Sequence, residues 1–400
     1  MAKVSHAEIM SSGFRNVRAL DGIRGVAIIL VLFHHYEFVI PPCNVEIQYM
    51  KLVFSFGWAG VDLFFALSGF LITGILLNTR NANNYFSAFY VRRILRIFPL
   101  YYSVLIVVLV VAALQNPRPQ IVPLVEDQKL YFLYLTNWLG LWKGHWGPNL
   151  LGHFWSLAVE EQFYLIWPLC VWLLSWQRLA RLAIGASVIA LLARIFWVDH
   201  SGPSQAIIVA TVTRMDALLC GALGAILFRQ AQSLSLLRQW LPRIAFVTLS
   251  GFVAAVAWLR VTHGAFTVLV FVETYGYTLL AVGFTSLILQ AAATDGSATL
   301  LQRALCNRGL TNFGKYSYGI YVYHAPVLAL CDHFIYKRLP VAWTLNFWFG
   351  VLYFAFLIAA SFFIAKLSYE HFESHFLALK RYFEPRTSGR SSLAAGVGAS

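Results

Sequence analysis

The sequence predicts an all-α, polytopic membrane bundle of about ten transmembrane helices, with both termini in the cytoplasm. Three observations carry that prediction. Hydrophobic residues make up 59% of the 400-residue chain and charged residues only 12%, against about 45–50% and about 25% in soluble domains. The apolar residues gather in runs of about 20, the length that crosses a bilayer as a helix. The 30 Lys and Arg are divided unequally between the two sides that those runs define. Such a chain cannot cover a water-facing surface with polar groups, which excludes an ordinary soluble enzyme and a disordered protein alike.

In order, the candidate spans are 20–40, 53–77, 99–115, 154–176, 179–198, 205–228, 244–260, 268–290, 316–336 and 343–367. A shorter apolar stretch from Tyr131 to Trp142 is too brief to cross and is expected at the interface or as a re-entrant segment. With the N-terminus inside, 21 Lys and Arg fall on that side and seven on the other, while Arg194 and Arg214 stay within spans. The positive-inside rule then places both ends in the cytoplasm. The net charge of +13 thereby follows from topology and calls for no nucleic-acid partner. Five cysteines form no CxxC pair, so neither a disulfide framework nor a metal site is indicated. No small-residue cleavage site follows the first apolar block, which reads as a retained span. The expected organisation is a cytoplasmic segment 1–19, a membrane domain 20–376, and a disordered cytoplasmic tail 377–400.

Ionisable groups inside a bilayer cost about 2.5–3.5 kcal/mol each on insertion scales, so each is a functional candidate. The first span carries Arg24, His34 and His35. Arg24 and His35 are eleven residues apart, which closes to nearly one helix face about 16 Å apart along the axis. An interfacial histidine held by a backbone carbonyl is the structural alternative for His35. In the second span, counting from the cytoplasmic ends puts Asp62 and His35 both about 22 Å deep. A carboxylate there would orient an imidazole acting as general base; capping a helix break near Gly57 and Gly60 is the alternative. In the fourth span Ser156, Glu160 and Tyr164 recur at i, i+4 and i+8, and His153, seven before Glu160, joins their face. Glu161 points about 100° away and could pair with Arg214. Arg214 and Asp216 stand at i, i+2 and cannot satisfy each other on one face. In the ninth span Ser317, Tyr321 and His324 share a face. A structural ion-pair network is the alternative for all of these. Arg93 and Arg96, beside Arg92 in a juxtamembrane segment, lie one turn apart, a spacing suited to phosphate recognition or to lipid headgroups.

Five of these segments, in order across nearly the whole chain, resemble the acyltransferase-3 family of multi-span membrane O-acyltransferases. They are the Arg24-to-His35 spacing, GVDLFFALSGFLI at 60–72, RRILRIFPLYY at 92–102, WSLAVEEQFYLIWP at 155–168 and YSYGIYVYHAP at 316–326. The closing segment SYEHFE at 368–373 is similar too, without the proline that often follows. Nothing resembles the extracytoplasmic hydrolase-like domain some members append. The resemblance implies transfer of an acyl group, most often acetyl, from cytoplasmic acyl-CoA to a hydroxyl. Acceptors are usually envelope or exopolysaccharide carbohydrates, sometimes antibiotic-type small molecules, and the expected location is the bacterial inner membrane. It implies that His35 is catalytic, with Arg24 in its motif, and that Arg93 and Arg96 help bind CoA. Joined to the residue analysis, the expected catalytic set is His35, Asp62, Arg24 and Glu160, with Arg92, Arg93 and Arg96 on acyl-CoA. Ser156, Tyr164, His153, Glu161, Arg214 and His324 are expected as acceptor pocket or support. Acyl-CoA is expected as a substrate rather than a resident cofactor, and lipid surrounds the whole. A proton-coupled transporter, whose buried charges would form a relay, is the main rival; a polyprenyl-dependent glycosyltransferase is a weaker one.

Overall fold

A computed structural model describes residues 17–41, 45–114, 126–143, 150–230, 239–294 and 299–386. The tail expected to be disordered from residue 377 is instead helical from Ser374 to Phe383 and described as far as Arg386; its remainder and the N-terminal segment before Val17 lie outside the described residues. Within them every regular element is a helix. The principal ones are α1 (Arg18–Tyr36), α2 (Val45–Ser55), α3 (Ala59–Thr79), α4 (Tyr85–Leu114), α5 (Gln128–Phe132), α6 (Asn137–Trp142) and α7 (Phe154–Leu173). They continue with α8 (Trp176–Ser201), α9 (Thr211–Arg229), α10 (Leu241–Thr262), α11 (Ala265–Ala293), α12 (Leu300–Leu305), α13 (Arg308–Phe334) and α14 (Phe347–Ser368).

Among the described residues, eight helical stretches are long and apolar enough to cross a membrane, and the chain is a multi-pass membrane protein. The other two expected spans, α7 and α13, are fully formed helices of 20 and 27 residues. They fall short in apolar composition because Glu160, Glu161 and Gln162 interrupt α7, and Lys315 and two histidines interrupt α13. The largest boundary difference is α4, which begins at Tyr85 rather than near Pro99. Pro99 lacks an N–H and reads as a helix start, yet it sits mid-helix, so the three arginines belong to the same rod as the span.

Helix α1 lies between α3 and α13; α9 packs on α3, α8 on α9, α11 on α10, and α14 on α13. Lipid tails are as apolar as leucine, so helix association in a bilayer relies on close backbone packing at small residues. A Cβ placed on Gly69 would lie 1.9 Å from the Leu218 carbonyl oxygen, and one on Gly221 1.9 Å from that of Ala66. This contact sets the register of two parallel helices. Asp62 and Arg214 each stand seven residues, two turns, before their glycine, and so arrive level on the facing surfaces. Gly221→Ala is expected to force α3 and α9 apart and cost about 1–3 kcal/mol, read as a lower Tm in detergent; an unchanged Tm would show that the pair is loosely packed.

The stretch around Tyr131 docks into the bundle as α5 and α6. Tyr131, Asn137 and Leu139 are buried, and the Tyr101 hydroxyl donates to the Tyr131 carbonyl at 2.8 Å. Gln162 of α7, Asn137 of α6 and Thr211 of α9 close a three-membered hydrogen-bond ring that pins the segment. At one end of the bundle Arg229 donates to Asn78 at 2.6 Å and Arg80 to the Trp172 carbonyl at 2.9 Å. The last described residue, Arg386, returns there: its carbonyl accepts from the Asn83 amide at 3.0 Å.

Candidate active site

A cavity of about 360 Å³ opens between α1, α3, α4, α7 and α13. Its α3 wall extends from Thr79 to Val61, about 27 Å of helix, so the space is long and narrow. Around it stand the guanidinium groups of Arg24, Arg92, Arg93 and Arg96, with Lys380 and Pro385 folded back at the Thr79 end. Ser156 and Tyr321 line it with Val61 at the other end. The alignment of Arg92, Arg93 and Arg96 follows from α4 being one continuous helix: offsets of three and four residues bring all three to one side. Arg93 stacks over the Tyr164 ring, 4.7 Å from its centre, a cation–π contact that fixes the fork without occupying its N–H groups. Arg24 pairs with Asp21 one turn earlier at 2.5 Å. Such a cluster of forks is an anion site.

The α7 face forms as the periodicity predicts: Ser156, Glu160 and Tyr164 all line the cavity. Ser68 of α3 donates to Glu160 Oε1 at 2.7 Å and holds that carboxylate against the wall. His153 does not join this face. It caps α7 and turns to the rings of Tyr321 and His324, at 5.3 and 4.6 Å. The Tyr321 and Ser156 hydroxyls are 2.5 Å apart, one donating to the other, and both lie within hydrogen-bond distance of the His153 carbonyl, at 3.0 and 3.2 Å.

Beyond this wall stands His35, which is not among the lining residues. Its ring is 4.7 Å from that of His324, edge to face, and its Nδ1 lies 2.9 Å from the Val31 carbonyl. A carbonyl only accepts, so Nδ1 carries the proton and Nε2 keeps its lone pair in the neutral ring. The backbone, rather than a carboxylate, thus orients His35.

Asp62 is a correction. It does not orient His35 but pairs with Arg214 at 2.9 Å, both side chains almost wholly buried. Helices α1 and α3 do not start level, as counting from their ends assumes. Gly57 packs at Leu30 and Gly60 at Ala27, which puts Asp62 level with Gly25–Ile29, about two turns (~11 Å) before His35. Arg214 is therefore taken, and the expected Glu161–Arg214 pair does not form; Glu161 lies outside the cavity lining. Asp216 finds Arg194 at 2.7 Å, and Arg194 also reaches Thr278, Thr213 and Thr274. The two charges of α9 that cannot satisfy each other are thus satisfied by neighbours on opposite sides. Arg214 further stacks on Tyr277, 3.6 Å from the ring centre. Asp62→Ala is expected to lower stability by about 3–5 kcal/mol by stranding Arg214, and pairing it with Arg214→Met to recover most of that loss. Thermal melts of the two singles and the double read it; additive losses would contradict the pairing.

The sequence of the whole bundle decides the family. The model of acyltransferase domains for acyltransferase-3 matches residues 17–366. The chain belongs to the acyltransferase-3 family. Among relatives of this acyltransferase-3 chain, the peptidoglycan O-acetyltransferase OatA of Listeria monocytogenes is 29% identical over 382 residues, 90% of this chain and 55% of that protein. The putative peptidoglycan O-acetyltransferase YrhL of Bacillus subtilis is 32% identical over 227 residues, 54% of this chain and 34% of that one. A putative O-acetyltransferase of Staphylococcus aureus is 29% identical over 226 residues, with 54% and 35% covered. The chain spans about half the length of these relatives or less. No solved structure matches it.

Two lining groups of this acyltransferase-3 cavity gave little sign in the sequence. Ser68 is an ordinary serine in an apolar run, and only its reach to Glu160 marks it. Lys380 follows the last span by sequence, and its place at the cavity depends on the chain folding back to Asn83 and Asn84.

Proposed function

We propose that this chain is an O-acetyltransferase that moves an acetyl group from acetyl-CoA to a hydroxyl of a carbohydrate acceptor in the cell envelope. The carrying observation is the long cavity with four guanidinium groups around it and the Ser156 and Tyr321 hydroxyls at its inner end, behind which the His35 imidazole stands. Acetyl-CoA has that shape and polarity: an anionic nucleotide, then a thin arm ending in the thioester. In this reading Arg92, Arg93 and Arg96 hold the phosphates at the cytoplasmic side, where the positive-inside rule puts the Arg80, Lys380 and Arg386 end of the bundle. The bacterial inner membrane is the setting.

The chemistry needs no redox partner. Neutral His35 accepts the acceptor's O–H proton on Nε2 as the oxygen bonds to the thioester carbon. The C–S bond breaks with its electron pair leaving on sulfur. The proton then passes to that sulfur, giving the CoA thiol and a neutral imidazole. Glu160, held by Ser68, and the Tyr321–Ser156 hydroxyl pair shape the wall near the thioester. The mutual pairing of Asp62 with Arg214 and of Asp216 with Arg194 takes those four charges out of a proton-transport relay. The test combines two measurements. Purified full-length protein should bind acetyl-CoA, in competition with CoA, and mass spectrometry of envelope glycans should show fewer O-acetyl groups when the gene is deleted. Proton flux across vesicles without acetyl-CoA binding would replace this reading with transport.

A further inference from the structure

The His153 carbonyl, at the head of α7, is approached by more protons than it has lone pairs. The Tyr321 hydroxyl lies 3.0 Å from it, the Ser156 hydroxyl 3.2 Å and the Ser156 amide 3.4 Å. A carbonyl oxygen has two lone pairs and so takes two of those three donors. The amide and one hydroxyl suffice. The proton of the other hydroxyl then rests on its neighbour, 2.5 Å away. It can leave that neighbour for a ligand without stranding any buried donor, because a hydroxyl rotates to suit its partner.

Both residues line the cavity, Ser156 from α7 and Tyr321 from α13, so the ligand that this proton meets lies inside it. The surroundings define that ligand. The Phe64 ring meets the Tyr321 ring edge to face at 6.3 Å, and Val61 and Leu157 line the space beside them. Glu160, one turn along α7, is already engaged by Ser68. In such a place a donor acts more strongly than in water, and one that itself accepts a hydrogen bond is strengthened further. The matching group is small, with one strong acceptor oxygen and an apolar end, as an acetyl thioester has. We propose that Ser156 and Tyr321 are further catalytic residues whose spare hydroxyl proton hydrogen-bonds the thioester carbonyl oxygen and stabilises the charge it gains during transfer. As the acceptor oxygen bonds to the carbonyl carbon, one C=O electron pair moves onto the carbonyl oxygen, where the hydroxyl holds it. The pair returns as the C–S bond breaks and its electrons leave on sulfur. Neither hydroxyl gives up its proton, so the acceptor's proton still travels by His35 to the sulfur. The proposal rests on the acetyl-transfer reading above and supplies its electrophilic half.

The experiment uses full-length wild type, Tyr321→Phe and Ser156→Ala. Each purified protein is titrated with acetyl-CoA and with S-ethyl-CoA, which differ only by the carbonyl oxygen, and each gene is tested for glycan O-acetylation in a gene-deleted strain. Wild type is expected to bind acetyl-CoA about 2–10-fold more tightly than S-ethyl-CoA, the effect of one hydrogen bond. In both variants that ratio should fall to about one, with S-ethyl-CoA bound as in wild type, and O-acetylation should be at least about 100-fold less. A pair that merely satisfies the His153 carbonyl predicts the opposite, since either hydroxyl alone covers it and each single variant would stay active. A wild-type ratio of one, a ratio that persists in either variant, or O-acetylation within a few-fold of wild type overturns the proposal. Loss of all CoA binding in both variants assigns the pair to the fold and overturns it too; if one variant alone loses binding, the other decides. Wild-type protein that binds neither ligand defeats the acetyl-transfer reading itself, which separates the two failures.

Discussion

His35→Ala is expected to abolish acetyl transfer while leaving acetyl-CoA binding intact. His35 is only partly buried, and its tautomer is fixed by the Val31 carbonyl one turn earlier on α1. That arrangement presents Nε2 as a base with no rotation needed. General-base removal accounts for about 10²–10⁴ in rate, so O-acetyl content in a complemented strain should fall to about 1% or less. Binding should persist because the groups expected to hold the nucleotide, Arg92, Arg93 and Arg96, sit on α4 and line the cavity, which His35 does not. His35→Asn refines the test: it keeps a donor for Val31 and loses the base, and should be as inactive as alanine. Transfer at the wild-type level in either variant, at equal expression, would remove His35 from the chemistry and leave the interfacial structural role.

Much of this architecture is legible in the sequence because the bilayer allows one solution: an apolar run must become a helix, since no water can satisfy its backbone. Even α7 and α13, too polar to pass as spans by composition, read correctly from the spacing of Ser156, Glu160 and Tyr164 and of Ser317 and Tyr321, which do share the cavity, although His324, expected on the same face, does not line it. What was not legible depends on the relative height of helices. The partner of Asp62 is settled by glycine contacts, Gly69 with Leu218, Gly221 with Ala66 and Gly57 with Leu30, and no periodicity within one helix reports where its neighbour stands. The start of α4 was hidden by Pro99, whose missing N–H reads as a boundary in sequence and is tolerated mid-helix here. His153 was misplaced for a related reason: its ring packs on Tyr321 and His324 of α13, a neighbour that the periodicity of α7 does not report.

Arg93→Gln together with Arg96→Gln is expected to weaken acetyl-CoA binding far more than any change at the inner end. Each hydrogen bond to a charged group is worth about 1.5–3 kcal/mol, so each lost guanidinium–phosphate contact should raise Kd by about 10–100-fold. The Arg→Lys versions discriminate between charge and shape. Lysine keeps the positive charge but lacks the planar fork and stacks poorly, and Arg93 lies over the Tyr164 ring. Arg93→Lys should therefore recover only part of the affinity, and Tyr164→Leu should loosen binding as well, since the ring is buried and a desolvated cation–π contact contributes about 2 kcal/mol. Raising salt should weaken wild-type binding more steeply than that of the double glutamine variant, because screening acts on ionic contacts and the variant keeps fewer of them, Arg92 among those left. Equal affinities for wild type and double variant across that salt range would mean that the guanidinium cluster meets lipid headgroups instead. The narrow cavity would then need a neutral occupant.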